Sequence, residues 1–299
     1  MIIPPYLKSG DKVGIVSTAK RTTPEEIAPG IATLTSWGLI PVVGRHAYNE
    51  NYFMAGTDEE RAEDLQMMLD DPAIRAVFFT KGGYGTLRII DKIDFTAFRE
   101  NPKWIAGYSD ITVLHSHIHN FGIATLHSVM LQGMPNSNAE SAETLRKALF
   151  GESLHYEIQS KPENKLNGNG AEGVLVGGNL SVLYALVGSE SGIDTEGKIL
   201  FIEDIDEYLY HFDRMLLSLK RSGKLAELKA LVIGDMTDIK ESTIPFGPTY
   251  QEMILLHTEE YNYPVYFGFP AGHTKDNRAM VFGANLKIGE NDNNITFDF

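Results

Sequence analysis

The chain contains no cysteine. That excludes a disulfide framework, a thiolate nucleophile and any thiolate-ligated metal site. Cations are also in short supply: 26 Lys and Arg stand against 40 Asp and Glu, a formal net charge of -14 over 299 residues. Nucleic-acid recognition rests on clustered cations, so this balance argues against a general nucleic-acid binder. It leaves room for a small anionic substrate in a locally positive pocket. No uncharged apolar run approaches the roughly 18–20 residues of a membrane span, and no membrane partner is expected. The start, MIIPPYLKSGDKVGIVSTAK, lacks a basic stretch followed by an apolar core. It does not read as a signal peptide, and a cytoplasmic location is expected. There is no internal repeat and no low-complexity tract. What is present, 43% hydrophobic and 22% charged residues, is ordinary for a globular protein with ample chain to bury a core.

Short apolar runs alternate with amphipathic stretches through the first half. Residues 12–17 (KVGIVS), 40–43 and 73–80 (AIRAVFFT) are rich in β-branched or aromatic residues and bounded by Gly, Pro or Asp. Residues 24–37 and 57–69 show helical spacing. Thr23 precedes Pro24, and Thr57 is followed three residues later by Glu60, as in a capping box. A strand at 104–108, a helix at about 111–120 and a strand at 123–128 continue the pattern. Continuous apolar strands alternating with helices indicate an α/β fold with a parallel sheet covered on both faces, a Rossmann-like domain over 1–150. The polar, Gly/Asn-rich segment SKPENKLNGNGAEG reads as a linker or exposed loop, placing a boundary at 151–172. A second α/β domain with a mixed sheet is expected over 173–299. Its strands fall at 199–203, 231–235 and 264–269, its helices at 180–187, 206–221 and 249–259. Two short strands follow around GENDNN.

Chemistry concentrates where strands end. In KWIAGYSDITVLHSHIHN, an apolar strand runs into Gly107-Tyr108-Ser109-Asp110 and a helix follows at once. Such a turn can present Ser109 outward beside free helix N–H groups, as a nucleophile near an oxyanion site. Ile111 stands where the G-x-S-x-G elbow has its second Gly, and Ser109 or Asp110 acting only as a helix cap is the alternative. Lys81-Gly82-Gly83-Tyr84-Gly85 allows close backbone approach to a ligand, or is simply a tight turn; it matches neither phosphate-loop spacing. Glu203 ends an apolar strand, where it can orient an imidazole or belong to an acidic loop capping the next helix. His273 lies in the Gly/Pro-bounded loop FPAGHTKDN, a position suited to a general base. His115 and His119 share a helical face, but residue 116 is Ser where a zinc-protease motif has Glu, so packing or surface roles are favoured over metal. No cofactor is expected.

Together these segments resemble the LD-carboxypeptidase family, serine peptidases that include the muramoyltetrapeptide carboxypeptidases and the microcin-immunity peptidases. The resemblance runs through PPYLKSGDKVGIVSTA, TKGGYG, IAGYSDIT, LVGGNLSVL, LFIEDIDEYLYHFDRML and PAGHTKDNRAMVFGANLKI. It implies Ser109 as nucleophile, His273 as base and Glu203 as its orienter. It further implies oxyanion donors at the backbone N–H of Asp110 and of Gly83, and substrate contacts at Lys81 and Tyr84. The implied reaction is release of terminal D-alanine from a murein tetrapeptide through an acyl-enzyme, and a homodimer is implied as well. A microcin-type amidase acting on acyl-aminoacyl nucleotides, or a silent muropeptide-binding protein, are the alternatives. The chain departs from the family pattern at Lys81 (usually Arg), at Ser128-Val129 (usually Gly-Pro), at Thr274 (usually Gly) and at Met280-Val281 (usually Leu-Pro). These changes bear on substrate fit, since Lys cannot reproduce a bidentate Arg contact.

Overall fold

The computed structural model describes residues 1–291 and 293–299. In chain order the first half contains β1 (Lys12–Val16), α1 (Pro24–Ser36), β2 (Ile40–Val43), α2 (Asp58–Asp70), β3 (Ile74–Phe79), α3 (Thr96–Glu100), β4 (Trp104–Gly107), α4 (Thr112–His119), β5 (Thr125–His127) and α5 (Ala139–Phe150). The second half contains β6 (His155–Gln159), β7 (Ala171–Asn179), α6 (Leu180–Ala185), β8 (Ile199–Ile205), α7 (Leu209–Arg221), β9 (Ala230–Thr237), α8 (Tyr250–Thr258) and β10 (Val265–Phe267), then β11 (Met280–Phe282), β12 (Asn285–Glu290) and β13 (Asn294–Asp298). The helix starts follow local chemistry. Thr23 with Glu26, Thr57 with Glu60 and Thr249 with Glu252 each form a complete capping box, satisfying two otherwise orphaned N–H groups.

Two sheets result. The first has strand order β11-β5-β4-β3-β1-β2 and the second β10-β9-β8-β7-β12-β13-β6. Strands β1 to β5 pair in parallel, and so do β7 to β10. Strands β6, β12 and β13 run antiparallel and make the second sheet mixed. The fold is therefore α/β with one mostly parallel and one mixed sheet. Strand β11 comes from the end of the chain yet pairs antiparallel with β5 on the edge of the first sheet, Met280 opposite His127.

The structure differs from the sequence expectations in several places. The segment 151–172, read as a linker, holds β6, whose residues pair one for one with β13. The His-Tyr-Glu-Ile-Gln alternation of β6 has only two apolar positions, Tyr156 buried and Ile158 half-buried, beside a polar Gly/Asn-rich tract, and its pairing is set by the distant β13. Helices α3 and α5 and strands β7 and β11 lie in stretches for which no element is expected from the sequence. Helix α7 starts at Leu209 rather than 206, because β8 pairs with β9 as far as Ile205 and Asp206 turns the chain with φ 66°. Asp292, within the GENDNN segment read as a turn, lies outside the described residues.

The parallel strands point their carboxyl ends at one crevice. Strand β3 delivers the Gly-rich turn, β4 delivers Ser109 and β8 delivers Glu203. The loop after β10 delivers His273. Open α/β sheets bind ligands at such ends.

Candidate functional site

Ser109 leaves β4 with φ 59°, a left-handed conformation unusual for a residue with a Cβ. A 3-10 turn (Ser109–Ile111) and then α4 follow directly. Neither Ser109 nor Asp110 caps a helix through its side chain. Instead, Ser109 Oγ lies 3.0 Å from His273 Nε2. His273 Nδ1 lies 2.6 Å from Glu203 Oε2. A carboxylate only accepts, so Nδ1–H donates to Glu203, leaving Nε2 to accept the Ser109 hydroxyl proton. Glu203 is wholly buried, and its Oε1 has no hydrogen-bond partner among the described residues. Burial alone would lower the His273 pKa; the charge and hydrogen bond of Glu203, with Asp204 behind it, outweigh that and hold it above the usual histidine value. The His273 ring also packs 4.9 Å from that of Tyr108, centroid to centroid. Burial, with Glu203 nearby, pushes the Tyr108 hydroxyl up to about 12, so it stays neutral.

The Gly-rich turn closes on the serine. A Cβ added at Gly82 would lie 3.1 Å from both Cβ and Oγ of Ser109, so a side chain there would press on the serine. The backbone N–H groups of Gly83 and Asp110 have no hydrogen-bond acceptor among the described residues. The Asp110 carboxylate braces the turn by accepting the Thr86 N–H at 2.8 Å. The buried Arg61 adds bonds to the carbonyls of Thr18 and Gly85. Sequence reading singled out neither side chain for this. Arg61 lies on an ordinary-looking helix, and the sequence marks Asp110 only for its amide and as a cap.

A second brace holds the histidine loop. Asn277 Oδ1 accepts the Gly272 N–H at 3.0 Å and faces His127 Nε2 at 3.2 Å, which donates to it. Complete burial drops the His127 pKa to about 3, so the ring is neutral. This contact joins β5 of the first sheet to the loop carrying His273. Asn277 lies in the FPAGHTKDN loop and His127 in the strand expected at 123–128, and nothing in their spacing pairs them. Asp204, beside Glu203, faces the other way. It accepts from Asn179 Nδ2 and from the N–H groups of Ser181 and Ile205, at 2.9, 2.9 and 2.8 Å. Burial, then Glu203, pushes its pKa up to about 7.

Ser109 and His273 open onto a cavity of about 900 Å³ whose wall also includes Lys20, Arg21, Glu26, Lys81, Gly83 and Gln132. Lys81 reaches it, but its Nζ is bonded to Glu26 Oε2 at 2.9 Å. Tyr84 is half exposed and does not line this cavity. His115, weighed above for metal, has Nδ1 on Thr125 Oγ1 (2.8 Å) and Nε2 on the Gly107 carbonyl (2.9 Å). It holds the end of β4 in place. Among the described residues no helix is long and apolar enough to cross a membrane.

Comparison with known proteins identifies the family. Residues 13–128 match the family model described as the LD-carboxypeptidase N-terminal domain, and residues 172–288 that of the LD-carboxypeptidase C-terminal domain. A probable murein peptide carboxypeptidase of Bacillus subtilis (strain 168) is 37% identical over 291 residues, 94% of this chain and 89% of the relative. The crystal structure of muramoyltetrapeptide carboxypeptidase from Oxalobacter formigenes superposes with a TM-score of 0.86 at 27% identity, covering 96% of this chain and 98% of that one. The microcin C7 self-immunity protein MccF in complex with adenosine monophosphate superposes with a TM-score of 0.87 at 24% identity, over 100% and 99% of the two chains, a likeness of fold alone.

Proposed function

We propose, on the premise that this chain belongs to the LD-carboxypeptidase family and is a serine-type carboxypeptidase, that it releases the terminal D-alanine of a murein tetrapeptide by acyl transfer through Ser109, His273 and Glu203. The observation that carries the reading is the continuous hydrogen-bonded chain from Ser109 Oγ through His273 to the buried Glu203, at the floor of a peptide-sized cavity.

In this reading His273 Nε2 takes the Ser109 proton as Oγ bonds to the scissile carbonyl carbon. Glu203 holds the Nδ1–H tautomer and stabilises the imidazolium. The free N–H groups of Gly83 and Asp110 receive the oxyanion. Collapse breaks the C–N bond, and His273 passes its proton to the leaving amine of D-alanine. Water then gives a proton to His273 and its oxygen to the acyl carbon, and Ser109 leaves with the proton restored.

The test is D-alanine release from purified murein tetrapeptide, followed by mass spectrometry. Ser109→Ala should lower kcat by at least about a thousandfold. Turnover by that variant at the wild-type rate overturns the serine mechanism.

A further inference from the structure

The charged side chains around the cavity differ in what already holds them. Lys81 is paired with Glu26, whose Oε2 also accepts the Thr22 hydroxyl at 2.8 Å. Arg21 is paired with Glu50 at 2.6 Å. Lys20 has no carboxylate within ion-pair distance among the described residues. Its Nζ rests 5.3 Å from the centroid of the Phe53 ring, a weak seat that an anion readily replaces. The base of the side chain is fixed nonetheless. Lys20 forms an antiparallel bridge with Met54, and the Arg21 N–H donates to the Phe53 carbonyl at 3.1 Å. Its stem lies along the Gly-rich turn, because a Cβ at Gly83 would stand 3.1 Å from Lys20 Cβ and 3.7 Å from its Cδ. The neighbouring Gly82 makes the same close approach to Ser109. An uncompensated ammonium thus flanks the turn whose other side touches the serine.

We propose that Lys20, and not Lys81, is the counter-charge for the substrate's terminal carboxylate, and so the residue that restricts cleavage to chain ends. This rests on the LD-carboxypeptidase reading above. In a C-terminal residue only the amide nitrogen and Cα separate the scissile carbonyl carbon from the carboxylate carbon. The anion therefore comes within a few ångströms of the oxyanion donors, the neighbourhood the Lys20 stem occupies. A carboxylate leaving water requires a cation that is not already neutralised. The Lys81–Glu26 pair presents no net charge; Lys20 presents one.

The experiment compares L-Ala-γ-D-Glu-L-Lys-D-Ala with its C-terminal amide on wild type, Lys20→Met and Lys20→Arg. Wild type should favour the free acid. Lys20→Met should lower kcat/KM for the acid by about ten- to a hundredfold, leave the amide within about threefold and so erase the preference. Lys20→Arg should recover most of it. A Lys20→Met enzyme that keeps the wild-type acid-to-amide ratio overturns the proposal, whether both rates fall or neither does. If wild type cleaves neither these peptides nor their meso-diaminopimelate counterparts, the LD-carboxypeptidase reading itself fails and takes the proposal with it, an outcome separable from the first because it shows before any variant is made.

Discussion

Ser109 holds a left-handed backbone at φ 59°, and His273 holds a proton more firmly than an ordinary histidine does. Both are consequences of neighbours brought close by the fold. In the proposed mechanism His273 is the base and must be neutral, so activity is expected to fall as pH falls through its pKa. Burial works against the imidazolium, and Glu203 works for it and prevails. The acid limb of kcat/KM against pH is therefore expected above the unperturbed value of 6.5. Glu203→Gln removes the charge and leaves the burial, so it should shift that limb to lower pH. It should also cut kcat by about 10²- to 10⁴-fold through loss of the tautomer-fixing acceptor. A limb that stays in place when Glu203 loses its charge contradicts the assignment of His273 as the titrating base.

At the scale of elements, the site is a meeting of strand ends held by short polar braces. The loop after β10 depends on Gly272, which has φ 127° and leaves space for Glu203: a Cβ there would sit 3.0 Å from Glu203 Cβ and Oε2. Gly272→Ala must therefore move either the carboxylate or the loop that bears His273. Small displacements of a reacting group are costly, so kcat should fall at least about tenfold. Steady-state kinetics with the murein tetrapeptide checks this, and an unchanged kcat would mean that the loop absorbs the methyl group without disturbing His273. The Asn277 contact with Gly272 N–H and His127 ties this same loop to β5. Sequence spacing identified each of these turns as a place for chemistry. It carried no information on the braces, which join residues as far apart as 127 and 277.

Over the whole molecule, the two sheets share one apolar core. Trp104 and Leu126 of the first sheet belong to the same buried cluster as Phe201, Tyr266 and Phe297 of the second. Phe201 packs 5.2 Å from the His127 ring and 6.1 Å from Phe282 on β11, and β11 carries the end of the chain back to the first sheet. The halves should therefore unfold together. Both tryptophans, Trp37 and Trp104, lie in the first half, so their fluorescence and the far-ultraviolet circular dichroism of the whole chain should give superimposable urea transitions. Phe201→Ala should destabilise both signals equally, by about 3–5 kcal/mol. Separated transitions would show that the halves fold independently.

The sequence by itself determined the strand–helix alternation, the absence of thiol chemistry and the residues at the ends of β3, β4, β8 and β10, because periodicity, capping and turn composition are local properties. Tertiary structure alone decided which of those residues meet. It put β6 into a segment that reads as a linker, returned β11 to the first sheet, bound Lys81 to Glu26 and left Lys20 uncompensated. Each outcome depends on a partner some 50 to 160 residues away in the chain (β6 with β13, β11 with β5, Lys81 with Glu26) or, for Lys20, on the lack of one, and pairing at that range is set by packing and charge that no short stretch of sequence contains.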